Sequence, residues 1–136
     1  MNFTVSPGHD DLRVIAGDIL ETLPDELVEY CQDLTTEIAE FPDDALQSDL
    51  DLDDPYELLA FYKSGKALAP GVEKKNADVD DVLLLFRRPI LDLWCESGDD
   101  LTFVMREVMI EEIARTFDFS DTEIDEMTQR HFQGML

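Results

Sequence analysis

Residues Val108 to Ser120 read V-M-I-E-E-I-A-R-T-F-D-F-S. At 100° per residue, Leu101, Val104, Met105 and Val108 form one stripe of a long helix, predicted from about Asp100 to Phe117. Toward the C-terminus the same stripe runs into Glu111, Glu112 and Arg115, while Met109, Ile110, Ile113, Ala114 and Phe117 keep the other faces apolar. A helix apolar nearly all round is buried. Its three charged residues therefore belong at the mouth of a cleft or inside one. Arg115 lies at i+4 from Glu111 and i+3 from Glu112, both contact spacings on a helix. Two glutamates close to a helix C-terminus are unfavourable unless a cation offsets them.

The chain on either side supplies a small domain around this helix. S-G-D-D at 97–100 is a helix start, and Ser120-Asp121-Thr122-Glu123 is a capping box that opens a final helix carrying Ile124 and Met127. Val82 to Arg88 is a short, nearly continuous apolar run, the mark of a buried strand, and Pro89 stops it. Ile90 to Cys95 forms a helical turn. Upstream, Leu12, Ile15, Ala16, Ile19, Leu20 and Leu23 recur at helical spacing between Asp10 and about Tyr30. Pro24 interrupts that helix, and Asp25 to Cys31 adds a turn. Leu34 to Phe41 alternates as a strand does and ends at Pro42. Pro55 opens a short helix over Tyr56, Leu58, Leu59, Phe61 and Tyr62. Lys63 to Asp81, with all four lysines (Lys63, Lys66, Lys74, Lys75), reads as a flexible loop. The expected fold is α+β: one domain over 1–136, mostly helical, with a sheet of two to four strands.

The balance of 33 acidic against 10 basic residues gives a net charge of −23, which excludes direct nucleic-acid binding through phosphate contacts and disfavours anionic membranes. A solvated acidic surface is the plain reading, and a surface that imitates DNA phosphates is the sharper one. The densest acidic run, Asp43 to Asp54, lacks the glycine of a calcium loop. No stretch approaches the roughly 18 apolar residues of a membrane span, and the N-terminus lacks the basic start and apolar run of a signal peptide. Cys31 and Cys95, set among apolar neighbours without zinc-site spacing, read as reduced core residues of a cytoplasmic protein. His9 and His131 read as surface residues near the termini.

Set against the zinc-peptidase signature H-E-x-x-H, Glu111 stands at the first histidine, Glu112 keeps the glutamate, and Arg115 stands at the second histidine. The histidines hold the metal and the glutamate activates its bound water. An arginine stays protonated in a protein and has no lone pair for zinc. No serine–histidine–aspartate or cysteine–histidine arrangement, and no glycine-rich phosphate loop, replaces that chemistry.

With D-P-Y-E-L-L-A-F-Y (54–62), L-F-R-R-P-I-L-D-L-W-C-E-S-G-D-D-L (85–101) and V-M-I-E-E-I-A-R-T-F-D-F-S-D (108–121), the chain resembles a family of small, acidic bacterial metallopeptidase-like proteins with a minimal zincin fold. The resemblance runs from Asp54 to about Met127. It implies metal-ligand positions at Glu111 and Arg115, a vestigial general-base position at Glu112 and a third ligand position at Asp121. Asp118 replaces the glycine after the motif, and Thr116 a further histidine. The family's cofactor is zinc, but with both histidines replaced no metal is expected here; instead the Arg115 guanidinium would stand in for the metal, paired with Glu111 and Asp121. In zincins a strand beside the motif helix pairs with an extended peptide, a role that falls to Val82–Arg88. Three readings of function follow. The first is a catalytically inactive homologue that binds a protein or peptide, basic ones included, as a regulatory module. The second is an active metallopeptidase with a carboxylate metal site. The third is an acidic decoy for a basic or nucleic-acid-binding protein.

Overall fold

The computed structural model describes residues 6–64 and 81–134, the last five as backbone only. The long helix expected around the E-E-I-A-R stretch is α5, Leu101–Thr116. Local chemistry sets both of its ends. The Asp100 carboxylate accepts from the Thr102 N–H at 2.8 Å, at the positive end of the helix dipole. At the other end the Asp118 N–H donates to Arg115 C=O (3.2 Å) and the Phe119 N–H to Ala114 C=O (3.0 Å). This is a Schellman closure with Asp118 in the left-handed conformation, φ 63°. The expected capping box follows: Ser120 N–H donates to the Glu123 carboxylate and Glu123 N–H to Ser120 Oγ, opening α6, Asp121–Gly134.

Helices α1 (His9–Glu21) and α2 (Asp25–Val28) stand on either side of Pro24 as expected. The sheet has three strands: β1 (Thr35–Ala39), β2 (Ala60–Lys63) and β3 (Val82–Phe86). Their order is β1-β3-β2, with β1 parallel and β2 antiparallel to β3. Helix α3 (Asp44–Asp49) and a 3-10 turn (Pro55–Glu57) connect β1 to β2, and α4 (Arg87–Ser97) leads from β3 to α5.

Four expectations change. Pro55 opens only the 3-10 turn, and the apolar run after it becomes β2 rather than helix, because it pairs with β3. Val82–Arg88 ends as a strand at Phe86; Pro89 sits in the first turn of α4, where a helix tolerates proline, so the expected turn at 90–95 is an 11-residue helix. β3 is central, so neither of its edges is open to a peptide. Cys95 is exposed on α4, whereas Cys31 is part-buried against the core, and both thiols are free. Lys66, Lys74 and Lys75 and the side chain of His131 lie outside the described residues.

One hydrophobic core joins these elements. It takes Leu12, Ile15 and Ile19 from α1, Leu83 and Leu85 from β3, and Met105, Met109, Ile110 and Ile113 from α5. The R-R-P-I-L-D segment pins the chain's start to this core. Arg87 Nε donates to Pro7 C=O (2.7 Å) and Arg87 Nη1 to Glu40 (3.0 Å), with His9 Nε2 on the same carboxylate at 3.0 Å. A second arginine, Arg106, is buried on α5 and donates to Thr22 Oγ1 at 2.7 Å, which ties α5 to the end of α1.

Candidate functional site

β2 is an edge strand, and its outer side faces α5. In the antiparallel ladder with β3, Phe86 N–H donates to Leu59 C=O, so Leu59, Phe61 and Lys63 direct their backbone groups to β3. Ala60 and Tyr62 direct theirs outward. The Tyr62 N–H donates to Glu112 Oε2 at 3.0 Å, which joins the motif helix to the strand edge. The Tyr62 hydroxyl donates to the Asp81 carboxylate, and its ring meets Phe117 edge-on at 5.4 Å. Phe117 in turn stacks on Tyr30 at 4.6 Å. This aromatic group seats the end of α5 beside β2. Burial, then the neighbouring Asp81, pushes the Tyr62 hydroxyl pKa up and holds it protonated. The same two causes raise the Cys31 thiol to about 11, so it is an inert thiol rather than a nucleophile.

Between β2 and α5 lies a cleft of about 170 Å³. Ala60 and Glu57 line one wall and Leu93 of α4 closes an end, while Val108, Glu111, Glu112 and Arg115 form the α5 wall. The charged triplet thus lines a cleft, as its interruption of an apolar stripe implied. Burial raises the Glu112 carboxyl pKa, against the opposing pull of the Tyr62 N–H and Arg115. Burial also raises Glu111, followed by repulsion from Glu107, with Arg115 opposing. Arg115 is exposed, and among the described residues it makes no ion pair with Glu111, Glu112 or Asp121. The expected Arg115 strut to Asp121 is therefore corrected: the guanidinium acts on the glutamates through the field alone.

Asp121 is exposed in the first turn of α6 and lies outside the cleft lining. Thr116 bonds its own helix, donating to Glu112 C=O at 2.8 Å. Glu107 was missed in the sequence, although it sits one turn before Glu111 on the same face. Its pKa is raised by burial, then by Asp99 and Asp125. The donor set does not fit zinc. Among the described residues no group of three or more histidines, cysteines or carboxylates is arranged to hold a metal, and Arg115 brings a fixed positive charge to the cleft wall that carries Glu111 and Glu112.

No curated protein matches the chain. A family model described as zincin-like metallopeptidase matches residues 31–131, a span that begins before β1 and reaches into α6. It takes in both walls of the cleft and the E-E-I-A-R stretch of α5, a wider span than the resemblance from Asp54 implied. With that match over most of its length, the chain belongs to the zincin-like metallopeptidase family.

Proposed function

We propose that this chain is a pseudoenzyme: it does not hydrolyse peptides and works as a protein-binding or regulatory module that takes an extended protein segment in the cleft between β2 and α5. The observation that carries this reading is Arg115, a permanent cation lining the cleft where the motif has its second histidine. Glu112 supports it. A general base must reach the water that it activates, and here one carboxylate oxygen is held by the Tyr62 N–H. On this reading the peptidase chemistry is lost while the cleft is kept. β2, an edge strand lining a cleft, is the setting for strand addition, in which main-chain hydrogen bonds give affinity and side-chain pockets give selectivity. At about 170 Å³ the cleft suits one or two side chains rather than a drug-sized cofactor. The two free thiols fit a reducing, cytoplasmic setting for this role.

The test is zinc titration and metal content of the purified chain beside a Glu111→His/Arg115→His variant, with peptidase assays on both. The parent is expected to take up no stoichiometric metal and to leave peptides intact, while the variant gains zinc affinity. Stoichiometric metal in the parent, together with metal-dependent cleavage, would overturn the reading.

A further inference from the structure

Leu93, Val108 and Glu111, which line the cleft toward α4, also line a second recess of about 140 Å³ between α4 and α5, so the two adjoin as neighbouring lobes. The second lobe has walls of Leu93, Val104 and Val108, and Ser97, Asp99, Glu107 and Glu111 complete it. Val104 is buried, whereas Leu93 is left 38% exposed on the shared wall, large for a leucine flanking two recesses. Three carboxylates thus ring an apolar slot, and among the described residues no lysine or arginine makes an ion pair with any of them. Arg115 lines the first lobe and not the second.

A slot with an apolar shaft and an anionic mouth complements one common kind of side chain. Lysine and arginine lay their methylenes along apolar surface and keep the charged head at a polar rim. A neutral apolar residue fills the shaft but leaves Asp99, Glu107 and Glu111 facing one another. An acidic residue adds a fourth like charge.

We propose that the α4–α5 recess receives a lysine or arginine side chain of the segment held along β2, so that the partner is a basic extended peptide. This rests on the peptide-binding reading above and adds the chemistry of the partner. The chain's overall charge of −23 draws any cation toward it, but that attraction is diffuse and is screened beyond about 8 Å at physiological salt. Recognition in the recess is local and depends on the apolar shaft as well as the charge.

The experiment measures fluorescence anisotropy in 0.15 M salt with a labelled, end-capped heptapeptide of alternating threonine and valine and a central lysine. Its twin carries 2-aminoheptanoic acid, whose five-carbon side chain equals lysine in length and is uncharged, at the centre. The lysine peptide is expected to bind about tenfold more tightly, the weight of one close charge pair. In Glu107→Gln/Glu111→Gln the advantage should fall below about twofold, and in Asp18→Asn/Asp25→Asn, exposed positions on α1 and α2, which line neither lobe, it should be unchanged. Circular dichroism checks that each variant is folded; should the double variant unfold, Asp99→Asn, at an exposed rim position, replaces it. Equal binding of the two peptides overturns the basic-residue inference and leaves the cleft reading standing. Binding of neither overturns both. A lysine preference that survives the recess variants, or is lost in the distant control, assigns the attraction to total charge and also overturns it.

Discussion

Glu111 holds a carboxylate in a place that disfavours it. Burial and then Glu107, one turn earlier, raise its pKa above the ordinary 4.5, and Arg115 only partly offsets them. A carboxyl whose folded pKa is raised costs stability at neutral pH. That cost falls away as pH drops through the raised value toward 4.5 and is absent below it. Glu111→Gln should therefore stabilise the protein at pH 7 by a few tenths of a kcal/mol, about the size of one like-charged i,i+4 pair. Urea melts at pH 7 and at pH 4 check this: the gain should shrink at the lower pH, and a gain equal at both would remove charge as its cause. Asp118 carries a different strain. It occupies the left-handed closing position of α5, φ 63°, where glycine meets no Cβ penalty. Asp118→Gly relieves that strain but gives the unfolded chain more freedom. The net expectation is a stabilisation of about 0.5 kcal/mol, read as a higher denaturation midpoint. A glycine at this position would thus have a physical reason, which is the turn between α5 and α6.

A hydrogen bond from Tyr62 N–H to Glu112 links α5 to β2, backed by Phe117 packed between Tyr30 and Tyr62. Glu112→Ala leaves the Tyr62 N–H on an edge strand without its partner, at a cost of about 1–2 kcal/mol. Hydrogen exchange is the direct measurement: the Tyr62 amide should exchange at least about tenfold faster, the rate equivalent of that cost, while Leu83 and Leu85 in β3 keep their protection. Unchanged exchange at Tyr62 would show that the strand edge is held by something else. The same contrast explains which elements were legible in the sequence. Both ends of α5 and the start of α6 could be read from Asp100, Ser120 and Glu123, because caps are local chemistry over three or four residues. The apolar face of α1 could be read from its period. β2 could not. L-L-A-F-Y is equally apolar on a helix or a strand, and only pairing with β3, more than twenty residues later in sequence, decides between them. For the site, Glu111, Glu112 and Arg115 were legible as a triplet on one cleft wall. The Glu112–Tyr62 bond was not, since it joins residues fifty apart. Nor was the separation of Asp121 from that wall, because a motif gives spacing along the chain and not direction in space.

At the scale of the whole molecule the dominant quantity is charge. With 33 acids against 10 basic residues, pairing every lysine and arginine would still leave 23 carboxylates unmatched. Acids in the first turns of α1, α2, α3 and α6 gain from the helix dipoles, and Glu40 is matched by Arg87, Arg88 and His9. The remainder repel one another across the surface of a 15.5 kDa protein. Self-repulsion of this kind favours expanded states, and salt screens it. The Debye length falls from about 30 Å at 0.01 M to about 3 Å at 1 M, from the width of a small domain to less than one ion-pair contact. Raising sodium chloride over that range should therefore stabilise the fold. A gain of about 1 kcal/mol corresponds to roughly 4 °C in Tm for a chain of this size. Scanning calorimetry at neutral pH in a series of salt concentrations measures it directly. A falling Tm would mean that the few ion pairs around Glu40 outweigh the repulsion, because those are the attractive charges that salt weakens. The same series separates general from local electrostatics in partner binding. Attraction to the net charge fades over the screening range, whereas a cation seated in the α4–α5 recess, within contact of Glu107 and Glu111, keeps most of its advantage over an uncharged side chain of equal length.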